Sequence, residues 1–101
     1  MFEASMNFDL EHVEPFLKQL DTELGLHLPV AELVSMTGST PVESEATKSI
    51  SVTFGGNSVL LEYRVFMDDV AAPDLYFFTE SQALAKAIDD QLSRFADKVG
   101  I

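Results

Sequence analysis

Between Phe2 and Leu10 the chain alternates without a break: Phe2, Ala4, Met6, Phe8 and Leu10 are apolar, while Glu3, Ser5, Asn7, Asp9 and Glu11 are polar. Successive side chains of a strand point to opposite faces, so this period of two predicts a half-buried strand. The alternation stops at Val13-Glu14-Pro15. The fixed φ and missing N–H of proline suit the first position of a helix. Val13, Phe16, Leu17, Leu20 and Leu24 then form one helical stripe ending at Gly25, where a left-handed cap belongs. One helix from Asp9 to Leu24 would hold Pro15 in its interior at about 3 kcal/mol. Strand followed by helix, the latter over about residues 15–24, is therefore expected.

Residues 26–36 fit two patterns. Pro29, Val30, Leu33 and Val34 suit the start of a short helix, and Glu32-Leu33-Val34-Ser35-Met36 suits a strand equally well. From Thr37 to Lys48 the glycine, serine, threonine and proline content predicts a long polar loop. Ile50, Val52 and Phe54 then alternate with Ser49, Ser51 and Thr53, and Gly55-Gly56-Asn57 offers residues that tolerate positive φ in a tight hairpin turn. A turn at Gly56-Asn57 sets Phe54 opposite Val59, Val52 opposite Leu61 and Ile50 opposite Tyr63, all apolar pairs, and is the expected register. A turn at Gly55-Gly56 keeps the same faces but leaves Phe54 opposite Asn57.

Beyond Met67, Asp68 to Asp74 reads as a turn, and Leu75-Tyr76-Phe77-Phe78 as a strand with apolar groups on both faces. Thr79-Glu80-Ser81-Gln82 matches a capping box with Thr79 as cap and Gln82 at the third helical position. Leu84, Ala87, Ile88, Leu92, Phe95 and Val99 continue as a helical stripe that Gly100 follows. The expected architecture is a single α+β domain over residues 1–101. Its mostly antiparallel sheet has about four strands, the N-terminal strand plus a three-strand meander over 48–79, with helices at about 15–24 and 80–99 on one face.

Composition narrows the chemistry. The 101 residues carry 6 Lys and Arg against 17 Asp and Glu, a formal charge of −11, with 47% hydrophobic residues and no cysteine. Disulfides and thiolate metal sites are excluded. Nucleic-acid binding draws its affinity from cations neutralising phosphates, so Lys18, Lys48, Arg64, Lys86, Arg94 and Lys98 are too few for it. The same charge repels anionic membranes, and no apolar run reaches the roughly 18 residues of a spanning helix. Met1 to Leu10 lacks a basic n-region, so a cytoplasmic protein is expected.

No catalytic motif stands out. His12 and His27 belong to no His-Glu-x-x-His pair, and the glycines make neither a phosphate-binding loop nor a dinucleotide fingerprint. Gly-x-Ser-x-Gly is absent. Asp68, Asp69 and Asp74 gather in a turn, yet Val70-Ala71-Ala72-Pro73 supplies none of the remaining ligands of a calcium loop. No cofactor, metal or catalytic residue is assigned, and an enzyme is not expected. Leu60 and Phe66 point away from the Val59-Leu61-Tyr63-Val65-Met67 series, and either Leu75/Phe77 or Tyr76/Phe78 joins them. Such a second apolar face is covered by another segment or a second subunit, or it marks a binding site.

The leading expectation is a small acidic, non-enzymatic binding protein, of the inhibitor or immunity type, docking on a basic, nucleic-acid-handling protein. Its contact residues would be Glu43, Glu45, Asp68, Asp69 and Asp74 for charge, with Leu60 and Phe66 for apolar contact. Docking of this kind needs surplus carboxylates gathered beside an apolar patch. The alternative is a homo-oligomeric structural domain, such as a homodimer burying Leu60, Phe66 and the Phe77/Phe78 region, or a small-ligand-binding domain. The latter would have its pocket between the sheet and the 37–48 loop, with His12, His27 and Arg64 as its polar groups.

Overall fold

The computed structural model describes residues 1–69 and 72–100. Its strands are β1 (Phe2–Asn7), β2 (Glu45–Phe54), β3 (Asn57–Asp69) and β4 (Ala72–Thr79), paired antiparallel in the order β1-β4-β3-β2. Its helices are α1 (Val13–Leu24), α2 (Val30–Ser39) and α3 (Gln82–Val99), with a 3₁₀ turn at Leu10–His12 before α1. The expected α+β architecture is therefore present, and the two-pattern segment at 26–36 resolves as the start of a third helix. Polar Thr37, Gly38 and Ser39 continue that helix, so the expected 37–48 loop shrinks to the connection between α2 and β2, residues 40–44. The expected turn at Asp68–Asp74 is also narrower, because β3 runs to Asp69 and β4 starts at Ala72; its Val70 and Ala71 lie outside the described residues.

All three helices pack on one face of the sheet. From the strands, Ala4, Ile50, Val52, Leu61, Tyr63, Val65, Leu75 and Phe77 point into this core, and α1 and α3 supply Phe16, Leu17, Leu20, Leu84, Ile88, Leu92 and Phe95. Each apolar side chain buried this way stabilises by roughly 1.5–3 kcal/mol. An aromatic chain runs through the middle: Phe8 lies 5.1 Å from Phe16 and 5.8 Å from Phe95, Phe16 6.1 Å from Phe77, and Phe77 5.4 Å from Tyr63, all tilted or edge-on. These are the offsets that ring quadrupoles favour over face-to-face stacking.

Several polar groups on this side of the sheet are paired. Thr37 Oγ1 donates to the Leu33 carbonyl at 2.7 Å and lies 2.8 Å from the Tyr63 hydroxyl, so the tyrosine must donate to the threonine. Burial raises the pKa of Tyr63 well above its ordinary value, and the Thr37 bond offsets only part of that shift. Between α1 and α3, Gln19 Nε2 donates to Oε1 of buried Gln91 at 2.9 Å. At the β2 edge, Lys48 sits on the core face and reaches Glu32 of α2 at 2.6 Å. A charge pointing inward at an edge strand discourages pairing with another sheet.

Two local details differ from the sequence expectation. The hairpin pairs Phe54 with Asn57, Val52 with Val59 and Ile50 with Leu61, so Gly55-Gly56 is the turn. Both glycines have positive φ, +61° and +81°, as a two-residue primed turn demands. Only glycine adopts that region without a Cβ penalty, which outweighs the apolar partner that the Gly56-Asn57 turn would give half-buried Phe54. The second difference is at α3, whose cap is Ser81, accepting from the Leu84 N–H at 3.1 Å. Thr79 is instead the buried last residue of β4, donating to the Leu60 carbonyl and accepting from the Ser81 N–H. Gly25 closes α1 in the left-handed conformation, as expected.

Candidate docking surface

Because helices cover one face only, the other face of the sheet is open, and the register fixes what it shows. Glu3, Phe78, Glu62 and Ser49 form one row across β1, β4, β3 and β2. Ser5, Tyr76, Arg64 and Thr47 form the next, followed by Asn7, Asp74, Phe66 and Glu45. The alternation within β4 thus puts Leu75 and Phe77 in the core and Tyr76 and Phe78 outside. The two outer rings lie 6.0 Å apart and nearly parallel, at 6°. Leu60 extends the surface toward the hairpin and is 56% exposed.

Arg64 occupies the centre. Its guanidinium carbon stands 4.9 Å from the Phe78 ring centroid, and Nη2 donates to Glu62 Oε2 at 2.8 Å. Nε is buried and has no hydrogen-bond partner. Around it, Glu3, Glu45, Phe66, Tyr76 and Phe78 line a shallow concavity of about 300 Å³. Asp74 belongs to the same face, where its carboxylate accepts from Asn7 Nδ2 at 2.8 Å and ties the ends of β1 and β4 together.

Of the residues expected at a contact surface, the fold brings Glu45, Phe66 and Asp74 into one row. Glu43 joins this end of the sheet through its N–H, which donates to the Met67 carbonyl at 2.7 Å. Asp68 is exposed near the same end of β3, whereas Leu60 stands at the opposite end. The side chain of Asp69 lies outside the described residues. Of the two pairs that could join the outer face, the fold selects Tyr76 and Phe78, and it adds Arg64 and Glu3, neither of which the sequence marks as a protein-contact residue. The strict alternation of β1 did put Glu3 on its polar face, but nothing in the local pattern paired β1 with β4.

Charge is distributed unevenly, though not as docking on gathered carboxylates would require in its simplest form. Acids stand on both sides of the molecule, and it is the cations that are segregated. Lys18, Lys86, Arg94 and Lys98 all belong to α1 and α3. Of these, Lys18 pairs with Glu14 and Lys86 with Asp90, exposed pairs at 3.9 Å that contribute little. The open face carries Glu3, Glu45, Glu62 and Asp74 against Arg64 as its cation. Arg64 is already committed to Glu62.

The residues expected for a small-ligand pocket do not converge. Arg64 is on the open face, whereas His12 packs edge-on against Phe95 on the helical side, with ring centroids 5.9 Å apart. His27 is exposed in the connection after α1, next to Leu26, whose carbonyl accepts from Thr53 of β2. Asp9, Glu11 and His12 bring potential ligand atoms within 4.8 Å of one another. Their carboxylates approach different ring nitrogens, Nδ1 at 3.9 Å and Nε2 at 3.8 Å, so they bracket the imidazole and do not close on one point. No helix among the described residues is long and apolar enough to cross a membrane. Comparison with protein-family models, curated proteins and solved structures finds no match for this chain.

Proposed function

We propose that this is a non-enzymatic binding protein, acting in the cytoplasm, that docks through the open face of its sheet onto a basic protein of the nucleic-acid-handling kind. One observation carries the proposal: a half-buried aromatic strip of Phe66, Tyr76 and Phe78 on the open face is bordered by Glu3, Glu45 and Asp74, with Arg64 already paired to Glu62. Desolvating aromatic rings supplies affinity, and a rim of one charge supplies steering and orientation. Carboxylates at such a rim occupy positions where a basic groove otherwise receives phosphates. A second copy is a poor occupant of this face, because it would set Glu3, Glu45 and Asp74 against like charges.

A basic ribonuclease is a suitable probe. Binding measured by calorimetry at about 0.01 M salt should weaken steeply by about 0.15 M, as exposed charges are screened. Absence of binding, or binding indifferent to salt, would overturn the electrostatic basis of the proposal. Sedimentation velocity of the protein alone should give a monomer, and a stable dimer would transfer the aromatic strip to self-association.

A further inference from the structure

Resting on the reading that the open face docks a basic protein, we propose that its concavity is an arginine-recognition site, taking an arginine side chain of the partner in preference to lysine. Arg64 already demonstrates the required chemistry within the chain. Its guanidinium is held over the Phe78 ring at 4.9 Å while Nη2 donates to Glu62 at 2.8 Å. The Tyr76 and Phe78 rings, stacked parallel with centroids 6.0 Å apart, form an aromatic platform, and a planar, weakly hydrated guanidinium stacks on a ring face while its N–H fork pairs with a carboxylate. A lysine ammonium is a hydrated point charge and gains less from a ring face.

The platform retains unused capacity. Glu3 and Glu45 line the same concavity, and among the described residues neither has a cationic partner. Its volume of about 300 Å³ is at the lower end of small-molecule pockets, and its open shape suits an inserted side chain better than an enclosed ligand. Arg64 keeps its place over the Phe78 ring through one side-chain hydrogen bond, to Glu62, while its Nε is unpartnered, so it is an internal competitor for the platform.

Binding of hexa-arginine and hexa-lysine peptides at low salt, measured by calorimetry, tests the proposal. Hexa-arginine should bind about fivefold tighter. The ratio should rise in Arg64→Gln, which frees the Phe78 ring and Glu62. It should fall to about one in Tyr76→Ala with Phe78→Ala, provided circular dichroism shows that variant folded. Should it fail to fold, Glu45→Gln, at an exposed edge position, serves instead and should weaken hexa-arginine more than hexa-lysine. Equal affinity of the unaltered protein for both peptides overturns arginine recognition while leaving the docking proposal standing. Binding of neither peptide overturns both.

Discussion

Thr37 and Tyr63 show how a single buried polar pair fixes the place of a helix. Because Thr37 Oγ1 spends its proton on Leu33, the Tyr63 hydroxyl depends on Thr37 as its acceptor. Removing each partner should therefore have unequal effects. Thr37→Val strands a buried phenol and should lower unfolding free energy by about 1–3 kcal/mol, whereas Tyr63→Phe removes a hydrogen bond without stranding a donor and should lose about 1 kcal/mol. Urea midpoints of both variants and of the double variant check this. The raised pKa of Tyr63 has a definite sign as well. A tyrosine held protonated in the folded state contributes stability that is intact below the ordinary value of about 10 and declines as pH rises past it. Alkaline titration should therefore destabilise the protein above about pH 10, and Tyr63→Phe should flatten that decline.

At the scale of elements, turns and caps decided the details that hydrophobic periodicity left open. Gly56→Ala puts a Cβ on a residue at φ +81° and should cost about 1–2 kcal/mol. Ser81→Ala removes the acceptor for the Leu84 N–H and should cost about 1 kcal/mol, measured by chemical unfolding. The alternation from Phe2, the stripe from Val13 to Leu24 and the stripe of α3 were legible because each repeats long enough to exclude the competing period. Cross-strand pairing by itself favours the Gly56-Asn57 turn, which gives Phe54 an apolar partner, whereas the backbone favours Gly55-Gly56, where both positive-φ residues lack a Cβ. The Thr79 cap misplaced the helix start because Thr79 and Ser81 both have cap chemistry, and only the tertiary bond from Thr79 to Leu60 commits the former to the sheet. Helix α2 was ambiguous over residues 26–36 because the apolar pattern there is too short to separate helix from strand, and its last residues, Thr37, Gly38 and Ser39, read as loop because they are weak helix formers, Thr37 being held by its bonds to Leu33 and Tyr63. The outward placement of Tyr76 and Phe78 was one of two stated options, and Glu3 came within their reach only through the β1–β4 pairing.

For the molecule as a whole, the two-layer architecture separates two surfaces of different character. The helical layer mixes acids with lysines and arginine, as solubility alone would require. The open face of the sheet carries half-buried aromatic rings in a setting where carboxylates outnumber the cation. The proposed docking places the negative charge that matters for binding on the sheet, and equal changes of net charge on the two layers separate the possibilities. Glu3→Gln with Glu45→Gln removes two charges from the open face; Asp89→Asn with Asp90→Asn removes two from the exposed side of α3. Association of each variant with a basic ribonuclease at about 0.1 M salt, where the Debye length is about 10 Å, is the measurement. The sheet pair should weaken binding about tenfold or more and the helix pair should change it little, because a rim charge acts over about a Debye length. Equal losses from both pairs, or a larger loss from the helix pair, would contradict the assignment of docking to the sheet face.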